Sequence, residues 1–252
     1  MDVFRHTPKC RVIVIGNMKG GVGKTTTTKN LASTIAHRGQ KVLIIDLDPQ
    51  TNLTQQFVKI KPNSRTVMDI MCESKSARSC IHKTKNSNID IIMGRKQVFF
   101  HESDVTDVHA LKKSLEDIKA DYDYVLIDSR PAMFEPIAFS GLVAADILLT
   151  PINLEGFSLQ NLLDVEEGLN SYNLDCKWMI FVNKFRLNSV QRKALEQLDQ
   201  TDFPILENVI EDKTVLSKTN ASKKTVFQLR SVESAVLKQD YDDLLSAIEE
   251  RG

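Results

Sequence analysis

Residues 11–39 read "RVIVIGNMKGGVGKTTTTKNLASTIAHRG". An apolar run of strand character leads into a glycine-rich loop, a Gly-Lys-Thr step and a helical pattern closed by Gly39. Strand, glycine loop and helix in that order are the setting of a P-loop. Gly20, Gly21 and Gly23 let the backbone curl so that its N–H groups, Val22 included, face inward and meet anionic oxygens. A helix beginning near Lys24 adds its positive dipole end. The Lys24 ammonium is expected on the β- and γ-phosphates of a nucleotide, with Thr26 beside it and the Thr25 hydroxyl on Mg²⁺.

Outward from the loop, short apolar runs alternate with helical patterns. That alternation predicts βαβ units and an α/β fold with a mostly parallel sheet flanked by helices. Strands are expected at 11–16, 41–46, 89–94, 123–128, 146–151, 177–183 and 205–210, as continuous apolar runs suited to burial on both faces. Helices are expected at 24–38, 107–119, 157–171, 189–199 and 231–249. The last carries Leu237, Tyr241, Leu244, Leu245 and Ile248 on one face and acids on the other. It reads as packing on the domain, because a membrane anchor would carry a basic polar face. No internal boundary shows, so residues 1–252 are expected to form one domain.

The chain has 252 residues and no formal net charge, with 42% hydrophobic and 26% charged residues. Affinity for nucleic acid must therefore come from a local patch. Cys10, Cys72, Cys80 and Cys176 form no CxxC pair, which argues against a zinc knuckle or a disulfide scaffold and for a reduced, cytoplasmic setting. The start "MDVFRHTPKC" is short and polar, unlike a signal peptide, and no apolar run nears the roughly 18 residues of a membrane span. His6, His37, His82, His101 and His109 have no ligand spacing, and Trp178 reads as packing.

Carboxylates stand where a nucleotide site needs them. "VLIIDLDPQTNLT" puts Asp46 at a strand end and Asp48 two residues on, and "DYDYVLIDSRP" ends another strand at Asp128. The carboxyl ends of parallel strands face the ligand crevice of such a sheet. Asp128 fits a Walker B carboxylate that holds Mg²⁺. Asn183, in "FVNKFR", could hydrogen-bond the base, and Arg186 stands where a guanine-reading site needs aspartate, which favours adenine.

The loop departs from G-x-x-x-x-G-K-[ST] at its first position, which is Met18, and Lys19 follows. The spacing K-G-G-V-G-K-T-T resembles the variant (deviant) Walker A of the ParA/MinD group, the SIMIBI-type P-loop NTPases. "TVMDIM" (66–71), "NIDIIMG" (88–94), "ADYDYVLID" (120–128) and "GLVAADILLTPINLEGFSL" (141–159) fall in the family's order, so the resemblance covers nearly the whole chain. It implies that Lys19 reaches across a homodimer to the nucleotide of the other subunit. It implies that Asp48 of DxDPQ orients the attacking water, with Asp46 supporting the metal site.

The resemblance further implies an ATP- and Mg²⁺-dependent, nucleoid-associated partition ATPase, released from DNA by a ParB-like activator. It implies non-specific DNA binding by the late basic regions, here Lys184, Arg186, Lys213, Lys218, Lys223 and Lys224. Residues 177–195 and 213–230 contain no acid. Two departures stand out. Arg130 replaces the first proline of D-x-P-P and reads either as a partner contact or as a surface substitution. Glu211 and Asp212 replace a Pro-Arg pair, which puts that arginine's contact in doubt. No long segment precedes the loop, so a helix-turn-helix is not expected. Positioning of a protein assembly, or transfer of a mobile element, stays open as the task, and a small-molecule kinase or synthetase is the remote alternative. Residues 128–145 lack the paired cysteines of an iron-protein cluster.

Overall fold

The architecture follows from the apolar runs. The computed structural model describes residues 10–96 and 101–252; His6 and the polar start fall outside them. Eight strands form one sheet: β1 (Arg11–Ile15), β2 (Val42–Asp46), β3 (Ile81–Lys83), β4 (Ile89–Ile92), β5 (Tyr124–Asp128), β6 (Ile147–Ile152), β7 (Lys177–Phe185) and β8 (Ile205–Glu211). Their spatial order is β3-β4-β2-β5-β1-β6-β7-β8, and all pairs are parallel except β3 with β4. All seven expected strands are present. The eighth, β3, is a three-residue antiparallel edge strand, too short to carry a periodic signal.

The helices are α1 (Lys24–His37), α2 (Asn52–Phe57), α3 (Val67–Met71), α4 (Ala77–Cys80), α5 (Ala110–Glu116), α6 (Pro136–Ala144), α7 (Leu159–Ser171), α8 (Ser189–Leu198), α9 (Thr214–Ser222) and α10 (Val232–Arg251). The five expected helices are α1, α5, α7, α8 and α10. Alternate residues of β1 feed opposite faces of the sheet, as the strand period requires. Ile13 and Ile15 join α1 and α10 in one core layer, and Val12 and Val14 join the α3, α5 and α6 side in the other. The five apolar residues foreseen on α10 are fully buried. Arg38, just past α1, holds α10 through Asp242 at 2.7 Å and Glu249 at 2.9 Å. The acidic face of α10 is thus partly an anchor. Among the described residues, no helix is long and apolar enough to cross a membrane.

β1 lies between β5 and β6, where the chain order turns from one half of the sheet to the other. A crevice outside the carboxyl ends of the strands at such a point is where an open α/β sheet binds ligands. The P-loop, Asp46 and Asp128 all sit there.

Candidate nucleotide-binding site

The loop from Gly16 to Gly23 joins β1 to α1. Gly21 and Gly23 have φ of +75° and +100°, a left-handed backbone that disfavours any side chain. A Cβ at Gly23 would also run into the Asn183 amide. Lys24 is buried under the loop, and its Nζ donates to the carbonyls of Asn17 (3.1 Å) and Lys19 (3.0 Å). Burial lowers the Lys24 ammonium below the usual lysine range, opposed by the charges of Asp128 and Asp48. The ammonium thus lies against the loop's own carbonyls, at the start of α1.

Lys19 is arranged differently. It is exposed, and its Nζ donates to the carbonyl of Gly156, beyond β6, at 2.6 Å. Its own N–H is held by Asn17 Oδ1 at 2.7 Å. Asn17 is a buried strut that the sequence reading passed over. Its Nδ2 donates to Pro151 O, and its Oδ1 accepts from Asn161 of α7. The signal was position alone, as the first polar residue after the strand. Met18, Leu159 and Leu163 also leave apolar side chains exposed.

Asp128 is fully buried at the end of β5, in register with Ile15 of β1 and Asp46 of β2. Burial, with Asp46 beside it, pushes its carboxyl well above the usual range, and the Thr25 hydroxyl opposes the shift. Thr28 Oγ1 lies 3.4 Å from Oδ1, while Oδ2 has no hydrogen-bond partner among the described residues. A buried carboxylate oxygen without a donor is costly unless a ligand satisfies it.

Asp46 is where the site departs from expectation. Its Oδ2 accepts from Thr54 N (2.8 Å) and Thr54 Oγ1 (2.6 Å), and its Oδ1 from Asp48 N (3.1 Å). Thr54 Oγ1 in turn accepts from Gly94 N, and a Cβ at Gly94 would press on Asp46 at 3.0 Å. Burial raises the Asp46 carboxyl to about 6 against those donors. Asp46 therefore braces the 46–54 turn, with Oδ2 taken up by Thr54 and Oδ1 accepting a single bond. Thr54 and Gly94 join it from separate elements. Gly94, ending an apolar strand run, carried a faint signal; Thr54 carried none. Asp48 is half-exposed and folds its Oδ1 onto Gln50 N at 2.8 Å. Thr51 holds φ +55° at the start of α2, a strained placement for a β-branched residue.

Asn183 is also redirected. Its Nδ2 donates to Val22 O at 2.7 Å, and its Oδ1 accepts from Lys184 N at 3.0 Å. The amide supports the loop from behind instead of standing free for a base. Lys184 Nζ donates to Gly21 O at 2.8 Å. Arg130 is not a surface substitution. Its guanidinium, mostly covered, pairs with Glu102 and with Glu135 at 3.1 Å, and Glu102 Oε2 accepts from Ile137 N in the first turn of α6. Ion pairing replaces the rigidity of the missing proline.

The basic segments are altered by acids just outside them. Arg186 pairs with Asp212 at 2.8 Å and Lys213 pairs with Glu211. Lys218, Lys223 and Lys224 remain exposed.

An AAA domain family model matches residues 10–176, the whole loop included. The chain is 33% identical to the chromosome partitioning protein ParA of Caulobacter vibrioides over 201 residues, which are 75% of each chain. Its fold is similar to that of a Borrelia burgdorferi protein described as a plasmid partition protein and crystallised with AMPPNP. That TM-score is 0.82 at 24% identity, covering 97% of this chain and 100% of the other. McdA of Cyanothece in complex with ATP gives a TM-score of 0.80 at 21% identity, covering 96% and 97%. With Lys19 exposed on the loop, Lys24 beneath it and Asp128 at the end of β5, the chain belongs to the ParA/MinD family of P-loop ATPases.

Proposed function

We propose that the protein is a partition ATPase that binds DNA as an ATP-dependent homodimer. The observation that carries the reading is the separation of the two lysines. Lys24 is spent inside its own loop, while Lys19 lies exposed and reaches across to the Gly156 carbonyl beyond β6. An exposed cation on a chain that also exposes Met18, Leu159 and Leu163 suits a surface that closes on a second copy. There Lys19 would reach the other subunit's phosphates and stabilise charge built up in phosphoryl transfer.

Thr25 and Asp128 fit a magnesium site. A buried Asp128 oxygen lacks a donor, and hard oxygen ligands beside a phosphate loop are what Mg²⁺ selects. Thr25 and Asp128 would hold Mg²⁺, which when bound would supply charge neutralisation to the phosphates. Asp48, half-exposed at the mouth, would orient the attacking water. Phosphate contacts by Lys218, Lys223 and Lys224 would give salt-sensitive, sequence-independent DNA binding, doubled by two-fold symmetry. Lys184, Arg186 and Lys213 contribute less, because each already has a partner within the chain. A ParB-like activator would release the dimer from the nucleoid by stimulating hydrolysis.

Retention of duplex DNA with ATP, measured against salt, tests the reading. Lys24→Ala should lose both nucleotide and DNA. Lys19→Ala should keep nucleotide as a monomer and lose DNA. Unchanged DNA retention in Lys19→Ala would sink the model.

A further inference from the structure

A second cleft opens on the far half of α1, away from the P-loop. The segment after α2, the β3–β4 edge and the turn after α9 close around it and enclose about 1120 Å³. Among the described residues, seven lysines line it and no aspartate or glutamate does. Lys83 is paired with Asp90. Lys59, Lys61, Lys85, Lys223 and Lys224 are exposed, and none has an acidic partner among the described residues. Lys29, fully buried in α1, contributes to the floor, and its Nζ lies 3.5 Å from Gln56 Oε1. Beside it the exposed His37 ring lies against Phe227, with centroids 4.4 Å apart and ring planes tilted by 35°.

Cations of one sign in a walled cleft repel one another and focus a positive potential into it. Lysine is rarely buried, so Lys29 adds a positive charge where a purely structural helix would carry an apolar side chain. The combination of a cationic wall and a flat ring surface is that of a ligand with several phosphates and an aromatic base. The volume is that of a small-molecule site. A duplex, broad and convex, would touch the rim lysines only. α1 begins at Lys24 and ends at His37, so its two ends are roughly 20 Å apart at 1.5 Å per residue. One ligand therefore does not fill both sites.

We propose that this cleft is a second anion site, distinct from the P-loop, that takes a nucleoside polyphosphate. Its phosphates lie among Lys59, Lys61 and Lys85, and its base lies on the His37–Phe227 pair. The site stands whether or not the protein partitions DNA.

Calorimetric titration of the full chain carrying Lys24→Ala, with adenosine tetraphosphate and with inorganic tripolyphosphate as probes, tests the proposal. One equivalent of each should bind, weakening as salt rises. Adding Lys59→Glu, Lys61→Glu and Lys85→Glu, all at exposed positions, should cost about tenfold or more in affinity for both probes. The same triple change with Lys24 intact should leave P-loop binding of ATP within about twofold. His37→Ala should weaken adenosine tetraphosphate about threefold or more and leave tripolyphosphate unchanged. No binding to the Lys24→Ala chain, or binding insensitive to the three glutamates, would overturn the proposal. So would binding of a duplex that adenosine tetraphosphate cannot displace, which would make the cleft part of a DNA surface.

Discussion

Lys184, Arg186 and Lys213 sit at the ends of β7 and β8; Lys59, Lys61, Lys85, Lys223 and Lys224 ring the cleft beside α1. In sequence the first group stands in two acid-free stretches, Lys184 and Arg186 in 177–195 and Lys213 in 213–230. In space its charge is spent. Lys184 holds a loop carbonyl, Arg186 meets Asp212 and Lys213 meets Glu211. The five ring lysines come from three segments that no sequence window joins, and among the described residues none of them meets an acid. Local charge along a chain predicts a field only when the acids that neighbour it in the fold are counted too.

The largest effect expected from this contrast is on stability. Burial lowers the Lys29 ammonium from 10.5 to about 8. A lysine whose folded value lies below its unfolded value destabilises the fold while both states are protonated. The unfolded chain binds more protons between pH 8 and 10.5, so Lys29 contributes rising stability across that window. Lys29→Met removes the buried charge and should stabilise the protein by about 2 kcal/mol at pH 7. The gain should shrink toward pH 10.5. Urea unfolding of both chains at pH 7 and at pH 10 checks it. A variant less stable than wild type at pH 7 would show that the lysine is held by compensating contacts and that the cleft costs the fold nothing.

A smaller effect is expected on DNA. In the ATP-bound state, Lys223→Ala with Lys224→Ala should lower duplex affinity about tenfold and flatten the log–log salt slope by about 1.8. Arg186→Ala with Lys213→Ala should change affinity by less than about twofold, because exposed, paired cations have little attraction left to lose. Fluorescence anisotropy across a salt series measures both. The reverse order would restore the strand-end patch as the DNA surface.

How far each region could be read from sequence follows the same distinction. The P-loop is a linear motif, and Gly20 to Thr25 meet in space because they are neighbours in the chain. The parallel strands were readable because both faces are buried and the apolar runs are unbroken. Helix α6, "PIAFSGLVA", was not, since it is apolar on nearly every side and shows no helical stripe. Helix α9, "TVLSKTNAS", was hidden by residues that favour turns. The brace on Asp46 was invisible because Thr54 and Gly94 arrive from separate elements. Arg130 was misjudged for the same reason: Glu102 and Glu135 come to it from outside its motif.

The smallest prediction tests the contrast most directly. Asp212 stands one residue outside the acid-free stretch 213–230 and cancels Arg186 across the end of β7. The pair is partly exposed, so breaking it should scarcely alter stability. Asp212→Asn keeps the shape and removes the charge. Arg186, released, would then face solvent with its field uncancelled. Duplex affinity with ATP should rise about threefold, and the salt slope should steepen by about 0.9, one phosphate contact's worth. Combining it with Arg186→Ala should erase the gain, since the two residues act through a single pair. A rise that survives Arg186→Ala would mean that Asp212 repels DNA on its own and that pairing did not silence this patch.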